Sequence, residues 1–369
     1  MYMYASFPIV QTANVNAFPR PQPPPMALIK SLLTPQSAIA TVLLAASIWL
    51  FFLFRKTSSS TTTTTTTTPI SVNFHFTGKC NKTCAFCFHT EKSSDVAFQA
   101  DMARALTLLK QAGVRKVNFA GGEPFLYPDL LGWLCQYSKE ELELESLSII
   151  TNGTRVTEKW LRKYGKWVDL LGVSCDSFDE GTNIPIGRGS GRNVEQLFCI
   201  RGWCRSFGIK FKLNTVVCRL NCEEDMAAIV AQLSPFRWKV FQVLFVEDEN
   251  SASAVDVKLD KRKRDTRALL ISDEQFTWFC ERHEHLGCFV PESNELMASS
   301  YLILDEHSCF LDKGDGRERT SRSILEVGDQ RALEEVRFDR EAFVQRGGLY
   351  DWSREGEWCG KSESKALEW

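Results

Sequence analysis

The stretch Cys80-Asn-Lys-Thr-Cys84-Ala-Phe-Cys87 decides the fold of this protein, because it places three thiols within eight residues. A structural zinc site is normally closed by four protein ligands, whereas a [4Fe–4S] cluster held by three cysteines keeps one iron open for another ligand. His89 could supply a fourth zinc ligand, so zinc remains an alternative. A chance group of core cysteines is disfavoured, because the stretch is rich in polar residues. The spacing therefore indicates an iron–sulfur site.

The sequence around this stretch alternates between β-rich runs and helical patterns. Repeated β-α units predict a parallel sheet with right-handed crossovers, in which ligands bind at the carboxyl edge of the strands. The predicted strands are Ser71 to Phe76, Lys116 to Ala120, Ser146 to Thr151, Leu170 to Cys175, Lys210 to Val217 and Trp238 to Leu244. The predicted helices are Met102 to Gln111, Glu158 to Trp167, Val194 to Phe207 and Glu223 to Leu233.

The composition is that of an ordinary globular protein of 369 residues. With 44 Lys and Arg against 46 Asp and Glu, the formal net charge is −2, so no global field attracts nucleic acid and we expect no such partner. The 13 cysteines are an odd number scattered through a long chain. This usage favours reduced thiols in the cytosol over a disulfide scaffold.

The chain is predicted to contain a membrane anchor at residues 37–56. Ala38 to Phe54 holds only apolar, small or weakly polar residues, and two cations follow it directly. Whether this segment spans the membrane or lies in its plane stays open. The other predicted segments are a disordered N-terminus (1–36), a Ser/Thr-rich linker (57–68), a barrel (69–245) and a C-terminal extension that closes the ligand site (246–369).

The spacing Cys-x3-Cys-x2-Cys resembles the signature of the radical S-adenosylmethionine enzymes. Phe86 matches the aromatic residue that precedes the third cysteine of that superfamily, and Gly121-Gly122-Glu123-Pro124 matches its Gly-Gly-Glu element. From Ser71 to Trp369 the resemblance narrows to the viperin family. It rests on Ser71-Val-Asn-Phe-His-Phe, Asn81-Lys-Thr-Cys-Ala-Phe-Cys-Phe-His-Thr, Ser174-Cys-Asp-Ser-Phe-Asp-Glu, Ile186-Gly-Arg-Gly, Arg237-Trp-Lys-Val-Phe-Gln and Pro291-Glu-Ser-Asn.

This resemblance implies an α/β fold, a partial (β/α)6 barrel with a C-terminal extension, and two cofactors, a [4Fe–4S] cluster and S-adenosyl-L-methionine. The implied reaction is that of a lyase used in antiviral defence. A pyrimidine nucleoside triphosphate, CTP or alternatively UTP, would lose its 4′ hydrogen and 3′ hydroxyl to give the 3′-deoxy-3′,4′-didehydro analogue. The alternatives are a radical enzyme that acts on another substrate, and a membrane-tethered interaction protein without catalysis.

The resemblance also implies roles for individual residues. Cys80, Cys84 and Cys87 would ligate three irons of the cluster. The implied cofactor-binding residues are Phe86, Gly121, Gly122, Glu123, Asn152, Ser174 and Arg188. The implied substrate-binding residues are Asn73, Lys116, Arg188, Lys212, Asn214, Arg237, Lys239 and Tyr301, and Tyr301 would also be catalytic by supplying hydrogen to the product radical.

The spacing of the cations supports a site for a polyanion. A nucleoside triphosphate brings about four negative charges, and burying them requires several cations or a metal. Arg237 and Lys239 are two residues apart on one predicted strand and therefore share a face, as Lys212 and Asn214 do on another. Cations on the inner face of a barrel are costly without anionic partners, so the set predicts an anionic ligand.

Three expectations concern the remaining segments. The terminal Trp369 resembles the viperin tail through which the cytosolic iron–sulfur assembly machinery is engaged. The anchor implies the endoplasmic reticulum or lipid droplets, with the catalytic domain in the cytosol. The cation-rich run 258–267 is predicted to be a solvated insertion, and the loop that holds Gly314 and Gly316 is predicted to be mobile.

Overall fold

A parallel sheet forms the centre of the computed structural model, which describes residues 69–91, 95–189, 191–247, 249–260 and 262–354. All six predicted strands are confirmed, and their ends agree with the sequence analysis to within two residues. The four predicted helices are also confirmed. The predicted anchor, the linker and Trp369 lie outside the described residues, and within the described ranges no helix is long and apolar enough to cross a membrane.

The structure contains ten strands and twelve α-helices in the described part of the chain. The strands are β1 (Ser71–His75), β2 (Lys116–Ala120), β3 (Ser146–Thr151), β4 (Leu170–Ser174), β5 (Lys210–Val217), β6 (Arg237–Gln242), β7 (Phe289–Glu292), β8 (Ile303–Leu304), β9 (Cys309–Asp312) and β10 (Arg319–Ser323). The helices are α1 (Gln99–Gln111), α2 (Pro128–Glu140), α3 (Glu158–Tyr164), α4 (Glu180–Ile186), α5 (Asn193–Ser206), α6 (Ala227–Leu233), α7 (Ala254–Leu259), α8 (Asp273–His283), α9 (Asn294–Met297), α10 (Ile324–Val327), α11 (Asp329–Leu333) and α12 (Arg340–Gln345).

The strands form one sheet in the order β10-β9-β8-β1-β2-β3-β4-β5-β6-β7. Strands β1 to β7 pair in parallel with one another and β8 pairs in parallel with β1, whereas β9 is antiparallel to both β8 and β10. The sheet therefore continues beyond the six predicted strands, since the C-terminal part of the chain adds β7 beside β6 and β8 beside β1. Four- and two-residue strands carry too little sequence pattern to be predicted.

Alternation along each strand separates an apolar outer face from a polar inner face. On β1, Val72 and Phe74 are fully buried in the hydrophobic core, while Asn73 between them is only half-buried on the opposite face. On β6, Trp238 and Val240 join the same core and leave Arg237 and Lys239 on the other side. The helices cover the apolar face, so the polar face lines the interior of the curved sheet.

A C-terminal segment, residues 349–354, closes the amino-terminal end of this interior. Tyr350 receives a 2.7 Å hydrogen bond from the ammonium of Lys116, the first residue of β2, and its ring lies 4.2 Å from the guanidinium of Arg237, the first residue of β6. Across a flat sheet these two strands would be about 19 Å apart, so the shared contact requires a strongly curved sheet. Asp351 likewise accepts a 3.1 Å hydrogen bond from Lys210 at the start of β5. The curvature makes this sheet a partial barrel.

Candidate active site

The three cysteines lie in the loop that follows β1, at the carboxyl edge of the sheet. The backbone of this loop is fixed by the residues after α4: Thr83 donates to the carbonyl of Gly187 at 3.1 Å, and Ala85 donates to that of Ile186 at 3.0 Å. Cys84 is buried, whereas Cys80 and Cys87 are half-buried. The shape of the loop is therefore held by backbone hydrogen bonds, and two of its thiols are partly accessible.

The thiols are close enough to influence one another. Burial raises the pKa of Cys84 to about 12, Arg188 opposes this shift, and Cys87 and Cys80 add to it. Burial also raises the pKa of Cys80 and of Cys87. Burial therefore favours the neutral form of each thiol, and binding of a cationic iron centre would release their protons.

The turn after β2 packs directly against the cysteine loop. Gly121 has a φ of +115°, a backbone conformation that residues other than glycine rarely adopt. A Cβ atom at Gly122 would lie 2.0 Å from the carbonyl oxygen of Lys79, so only glycine permits this approach. The backbone of Glu123 donates to the same carbonyl at 2.8 Å. The Gly-Gly-Glu element thus brings the β2 turn into contact with the residue that precedes Cys80.

The carboxylate of Glu123 is completely buried at the same edge. It accepts hydrogen bonds from the hydroxyl of Thr151 at 2.7 Å, the backbone of Asn152 at 2.7 Å and the backbone of Phe125 at 3.0 Å. Burial raises its pKa, although these hydrogen bonds oppose the shift. Glu123 therefore joins the ends of β2 and β3 and holds a fixed carboxylate beside the cysteine loop.

Asn152 and Ser174 end neighbouring strands at this edge. The side-chain amide of Asn152 donates to Asn81 at 2.8 Å and lies 3.8 Å from the sulfur of Cys80. Ser174, the last residue of β4, pairs in register with Asn214 and is half-buried. The structure thus brings Asn152 to the thiols and Ser174 to the inner face of the sheet.

Arg188 crosses from the residues after α4 toward the cysteine loop. Its guanidinium forms a buried ion pair with Asp176 and lies 5.9 Å from the ring of Phe86. Asp176 is fully buried and also accepts a 2.9 Å hydrogen bond from the backbone of Val216. Asp176 therefore orients Arg188, a role that the sequence analysis missed. The only signal for it was an acidic residue in the turn that follows a strand.

These residues fit an iron–sulfur cluster better than a single ion. His89, the potential fourth zinc ligand, lies 4.6 Å from the ring of His75 and 3.8 Å from Glu306. Among the described residues, no three His, Cys, Asp or Glu side chains converge as one metal ion requires. A cluster instead takes one thiolate per iron over a wider span, which suits three sulfurs on a preformed loop.

Four predicted substrate residues form a grid on the inner face of the sheet. Lys212 on β5 pairs in register with Arg237 on β6, and two residues further along Asn214 pairs with Lys239. Burial lowers the pKa of Lys212 to about 8, and the nearby cations Lys116 and Arg237 add to this shift while Tyr350 opposes it. The cations therefore lie close together inside the barrel, as a site for a polyanion requires.

Two members of this grid have unsatisfied polar groups. The buried Nε of Arg237, a donor, and the buried side-chain amide oxygen of Asn214, an acceptor, have no hydrogen-bond partner among the described residues. The ammonium of Lys212 has no hydrogen bond or ion pair within the described part of the chain. Buried polar groups of this kind are costly to leave unpaired, so the grid is built for a ligand.

Lys239 is neutralised by residues from the C-terminal part of the chain. Its ammonium forms an ion pair with Glu292 at the end of β7 and donates to the hydroxyl of Tyr301 at 2.6 Å. Tyr301 donates in turn to Glu292, and Arg346 reaches Glu292 at 3.3 Å. Burial raises the pKa of Tyr301 well above its usual value, Arg346 opposes this shift and Glu292 adds to it. Tyr301 consequently keeps its proton at neutral pH.

The remaining predicted residues lie deeper in the barrel or on its first strand. Asn73 on β1 donates weakly to the carbonyl of Leu302 at 3.5 Å and is half-buried on the inner face. Lys116 contacts the rings of Tyr350 and Trp352, and burial lowers its pKa well below the usual value. The sequence analysis did not find Glu292, Arg346 or Tyr350, because only the folded chain brings them to the grid.

Comparisons with known proteins agree with this geometry. Residues 74–233 match the family model of the radical SAM superfamily. The chain is 48% identical over 290 residues to S-adenosylmethionine-dependent nucleotide dehydratase RSAD2 of Oncorhynchus mykiss, covering 78% of this chain and 81% of that protein. It is 36% identical over 283 residues to S-adenosylmethionine-dependent nucleotide dehydratase of a Thermoplasmatales archaeon, covering 76% and 96%.

Solved structures support the fold alone. The structure of anSMEcpe with bound AdoMet and Kp18Cys peptide matches with a TM-score of 0.53 at 14% identity, over 74% of this chain and 82% of that one. Streptococcus suis SuiB bound to precursor peptide SuiA matches with a TM-score of 0.50 at 17% identity, over 75% of this chain and 66% of that one.

The family model and the sequence relatives together identify the family. The chain belongs to the S-adenosylmethionine-dependent nucleotide dehydratases within the radical S-adenosylmethionine superfamily, whose cofactors are a [4Fe–4S] cluster and S-adenosylmethionine.

Proposed function

We propose that this enzyme dehydrates a pyrimidine nucleoside triphosphate to its 3′-deoxy-3′,4′-didehydro analogue, with CTP as the substrate and UTP as the close alternative. The two relatives above are named nucleotide dehydratases, which supports a nucleotide as substrate. The observation that supports a triphosphate is the grid of Lys212, Asn214, Arg237 and Lys239. It places three cations together inside the barrel and leaves the Nε of Arg237 without an acceptor among the described residues.

In this proposal the grid binds the phosphates. Within the described part of the chain, the Nε of Arg237 has no acceptor and the ammonium of Lys212 has no hydrogen bond or ion pair. Charge-assisted hydrogen bonds to phosphate are the strong ones. With the triphosphate held there, the ribose would point toward the carboxyl edge of the sheet, where the cysteine loop lies. Binding then fixes which carbon of the ribose faces the cofactors.

When bound, the cluster and S-adenosylmethionine would supply a carbon-centred radical able to remove hydrogen from the substrate. The protein contributes position and exclusion of water, because selectivity requires one C–H bond to be held within about 3 to 3.5 Å of the reacting carbon. Glu123, Asn152 and Arg188 would bind the polar groups of S-adenosylmethionine, since all three lie beside the cysteine loop.

Tyr301 is proposed to supply hydrogen to the product radical. Its hydroxyl is protonated at neutral pH and is held by both Lys239 and Glu292. Lys239 would therefore contact both the phosphates and the hydroxyl of Tyr301. Through this lysine, substrate binding would help to position the hydroxyl. A Tyr301→Phe variant is expected to bind nucleotide but to form less didehydro product per 5′-deoxyadenosine.

A labelled substrate tests the reaction. CTP that carries deuterium at the ribose 4′ position should transfer it to 5′-deoxyadenosine, whereas deuterium at 2′ or 5′ should remain in the nucleotide. UTP is run in parallel, and the faster substrate decides the base. Transfer from 2′ or 5′, or 5′-deoxyadenosine without a nucleotide product, would reject the proposal in favour of another substrate.

A binding measurement tests the grid separately. Lys239→Ala should weaken nucleotide binding by about 1.5 to 3 kcal/mol with iron content unchanged, because a charge-assisted contact is lost. Unchanged nucleotide affinity would mean that Lys239 has only a structural role, as the ion-pair partner of Glu292. The rival hypothesis, an interaction protein without catalysis, predicts neither the deuterium transfer nor this loss.

We further propose that residues 37–56 attach the enzyme to the endoplasmic reticulum or lipid droplets with the catalytic domain in the cytosol, and that Trp369 recruits the cytosolic iron–sulfur assembly machinery. Both proposals rest on the sequence alone. Deletion of Trp369 should give iron-poor protein in cells that regains activity after chemical reconstitution. Deletion of residues 37–56 should release the enzyme from membranes.

A further inference from the structure

The run of residues 258–267, here called the basic insertion, packs against the cysteine loop. It carries six Lys and Arg and two Asp, a net charge of +4 in a chain whose net charge is −2. Thr266 donates its hydroxyl to the carbonyl of Ala85 at 2.8 Å, and the buried Arg264 reaches the carbonyl of Lys82 at 3.5 Å. The expectation of a wholly solvated insertion is therefore wrong for Arg264 and Thr266.

Two neighbouring contacts strengthen this attachment. Asn250 accepts a 2.9 Å hydrogen bond from the backbone of Thr266 and donates to the carbonyl of Cys87 at 3.4 Å. Leu269, just beyond the insertion, is buried in a small hydrophobic cluster with Cys84 and Phe86. The insertion thus follows the same loop that binds the cluster, and its inner side chains are part of the wall of that site.

The outer side chains of the insertion are exposed and cationic. The side chains of Arg262, Lys263 and Arg267 are 55%, 53% and 53% exposed, and their partners are aspartates on the surface. Exposed ion pairs of this kind contribute little to the stability of the fold. Their cations can therefore exchange the aspartates for carboxylates of a partner protein. A cationic surface therefore lies directly outside the cluster loop.

Helix α7, immediately before the insertion, adds an apolar pair. No residue of this helix is buried, and Val255 and Leu259 are 65% and 82% exposed. The two are four residues apart, so they lie on the same face of the helix. Val255, Leu259, Arg262, Lys263 and Arg267 together form what we call the docking surface.

We propose that the docking surface binds an acidic one-electron carrier protein that reduces the iron–sulfur cluster. This inference rests on the cofactors of the family and does not depend on which nucleotide is the substrate. The reduced carrier loses one electron, the cluster gains it, and no covalent bond changes. Electron transfer slows steeply with distance, so a carrier should dock where the chain touches the cysteine loop, as the insertion does through Arg264 and Thr266.

The charges and the apolar pair determine the kind of partner. The three exposed cations of the docking surface attract an acidic protein and accelerate its encounter, while an apolar centre with a polar rim is the usual composition of a transient interface. An anionic membrane would also attract these cations. Helix α7 has only six residues and two exposed apolar side chains. This apolar surface is too small for the helix to bind stably at a membrane, so a protein partner is favoured.

The test is the rate at which two reductants reduce the reconstituted cluster, followed by absorbance in a stopped-flow instrument. Reduced flavodoxin, an acidic flavoprotein, serves as the carrier, and dithionite serves as a small reductant that needs no docking surface. The variant R262E/K263E should lower the second-order rate constant for flavodoxin roughly tenfold or more at low salt, and the loss should shrink as salt rises. Reduction by dithionite and iron content should stay unchanged.

A matched control reverses two cations at the other end of the sheet. Lys163 and Arg205 lie in the last turns of α3 and α5, which lead into the amino-terminal ends of β4 and β5. K163E/R205E changes the net charge by the same amount. It should leave the rate constant for flavodoxin within about twofold of the parent, because salt screens charges that lie far from the docking surface. A second variant, V255S/L259S, should also slow flavodoxin, without a change in salt dependence.

Three outcomes would overturn the proposal. The first is an unchanged flavodoxin rate in R262E/K263E, and the second is an equal loss with dithionite, which would mean a damaged cluster. The third is a normal flavodoxin rate together with lost binding to phosphatidylserine vesicles, which would assign the surface to lipid. Because the readout needs no nucleotide, failure of the proposed dehydration leaves this test intact.

Discussion

The carboxyl edge of the sheet and the interior of the barrel are stabilised in different ways. At the edge, Glu123 is satisfied by the ends of β2 and β3, and the cysteine loop is fixed by the residues after α4. In the interior, Lys239 depends on Glu292, Tyr301 and Arg346, which follow it by 53 to 107 residues. The edge is held by hydrogen bonds within the protein, whereas the interior has polar groups without a partner among the described residues.

This difference separates two tasks. The edge must hold cofactors in one position in every catalytic cycle, and turns with fixed backbone geometry suit that task. The interior must bind and release a polyanion, so part of its charge is neutralised by protein carboxylate and part is left free on Lys212 and Arg237. Loss of an edge residue should therefore abolish cofactor chemistry, while loss of an interior residue should change affinity or stability by a measurable amount.

The largest effect is expected at the edge. Replacing Cys80, Cys84 and Cys87 together with alanine should abolish the brown absorbance of the reconstituted protein and the cleavage of S-adenosylmethionine. Nucleotide affinity, measured by calorimetry, should stay close to that of the parent protein without a cluster, because the grid lies on the strands. Iron and sulfide binding equal to the parent's would show that the cluster is bound elsewhere.

The next effect concerns the carboxylate in the interior. Glu292→Ala would leave Lys239 and Arg346 buried together without their shared anion, and it should lower the free energy of unfolding by about 3 to 5 kcal/mol. Urea denaturation provides the measurement. Adding Lys239→Met should recover part of the loss, since it removes one of the unpaired charges. A loss below about 1 kcal/mol would mean that the two cations are well hydrated.

A smaller effect is expected at the free lysine of the grid. Lys212→Met should weaken nucleotide binding by about 1.5 to 3 kcal/mol while stability changes little. Because the pKa of Lys212 is about 8, the ammonium is mostly charged at pH 7 and loses its proton as the pH rises through that value. Nucleotide affinity of the parent should accordingly fall above pH 8. Deprotonation of Lys212 alone would lower the affinity by at most about tenfold per pH unit. Lys212→Met should remove that part of the pH dependence, and an unaltered pH profile would contradict the assignment.

The smallest effect tests the C-terminal segment that closes the barrel. Tyr350→Phe removes the acceptor of the 2.7 Å hydrogen bond from Lys116 but keeps the ring beside Arg237. The free energy of unfolding should fall by about 0.5 to 1.5 kcal/mol, the usual worth of one hydrogen bond. Tyr127→Phe, a change in a tyrosine outside the interior, is the control in the same denaturation series. A larger loss in Tyr350→Phe would mean that the hydroxyl organises the whole segment.

Much of the fold could be read from local patterns. Alternation and helical spacing predicted β1 to β6. The polar residues at their ends were implied by the family resemblance, and they lie at the edge where parallel strands bind ligands. Strands β7 to β10 and the segment 349–354 could not be predicted, since short strands and a closing segment gain their stability from contacts with distant residues. The basic insertion shows the same limit, because its charge suggested solvent while Arg264 and Thr266 pack on the cysteine loop.

By itself, the sequence determined the chemistry of the site: three thiols at the spacing of a cluster loop, the Gly-Gly-Glu turn and the cations that share a strand face. These features depend on backbone geometry over a few residues, which local sequence specifies. Only the tertiary structure decided which charges are neutralised, by bringing Asp176 to Arg188 and Glu292 to Lys239. Electrostatic interactions in a buried site act through space between distant parts of the chain, so their outcome depends on the complete fold.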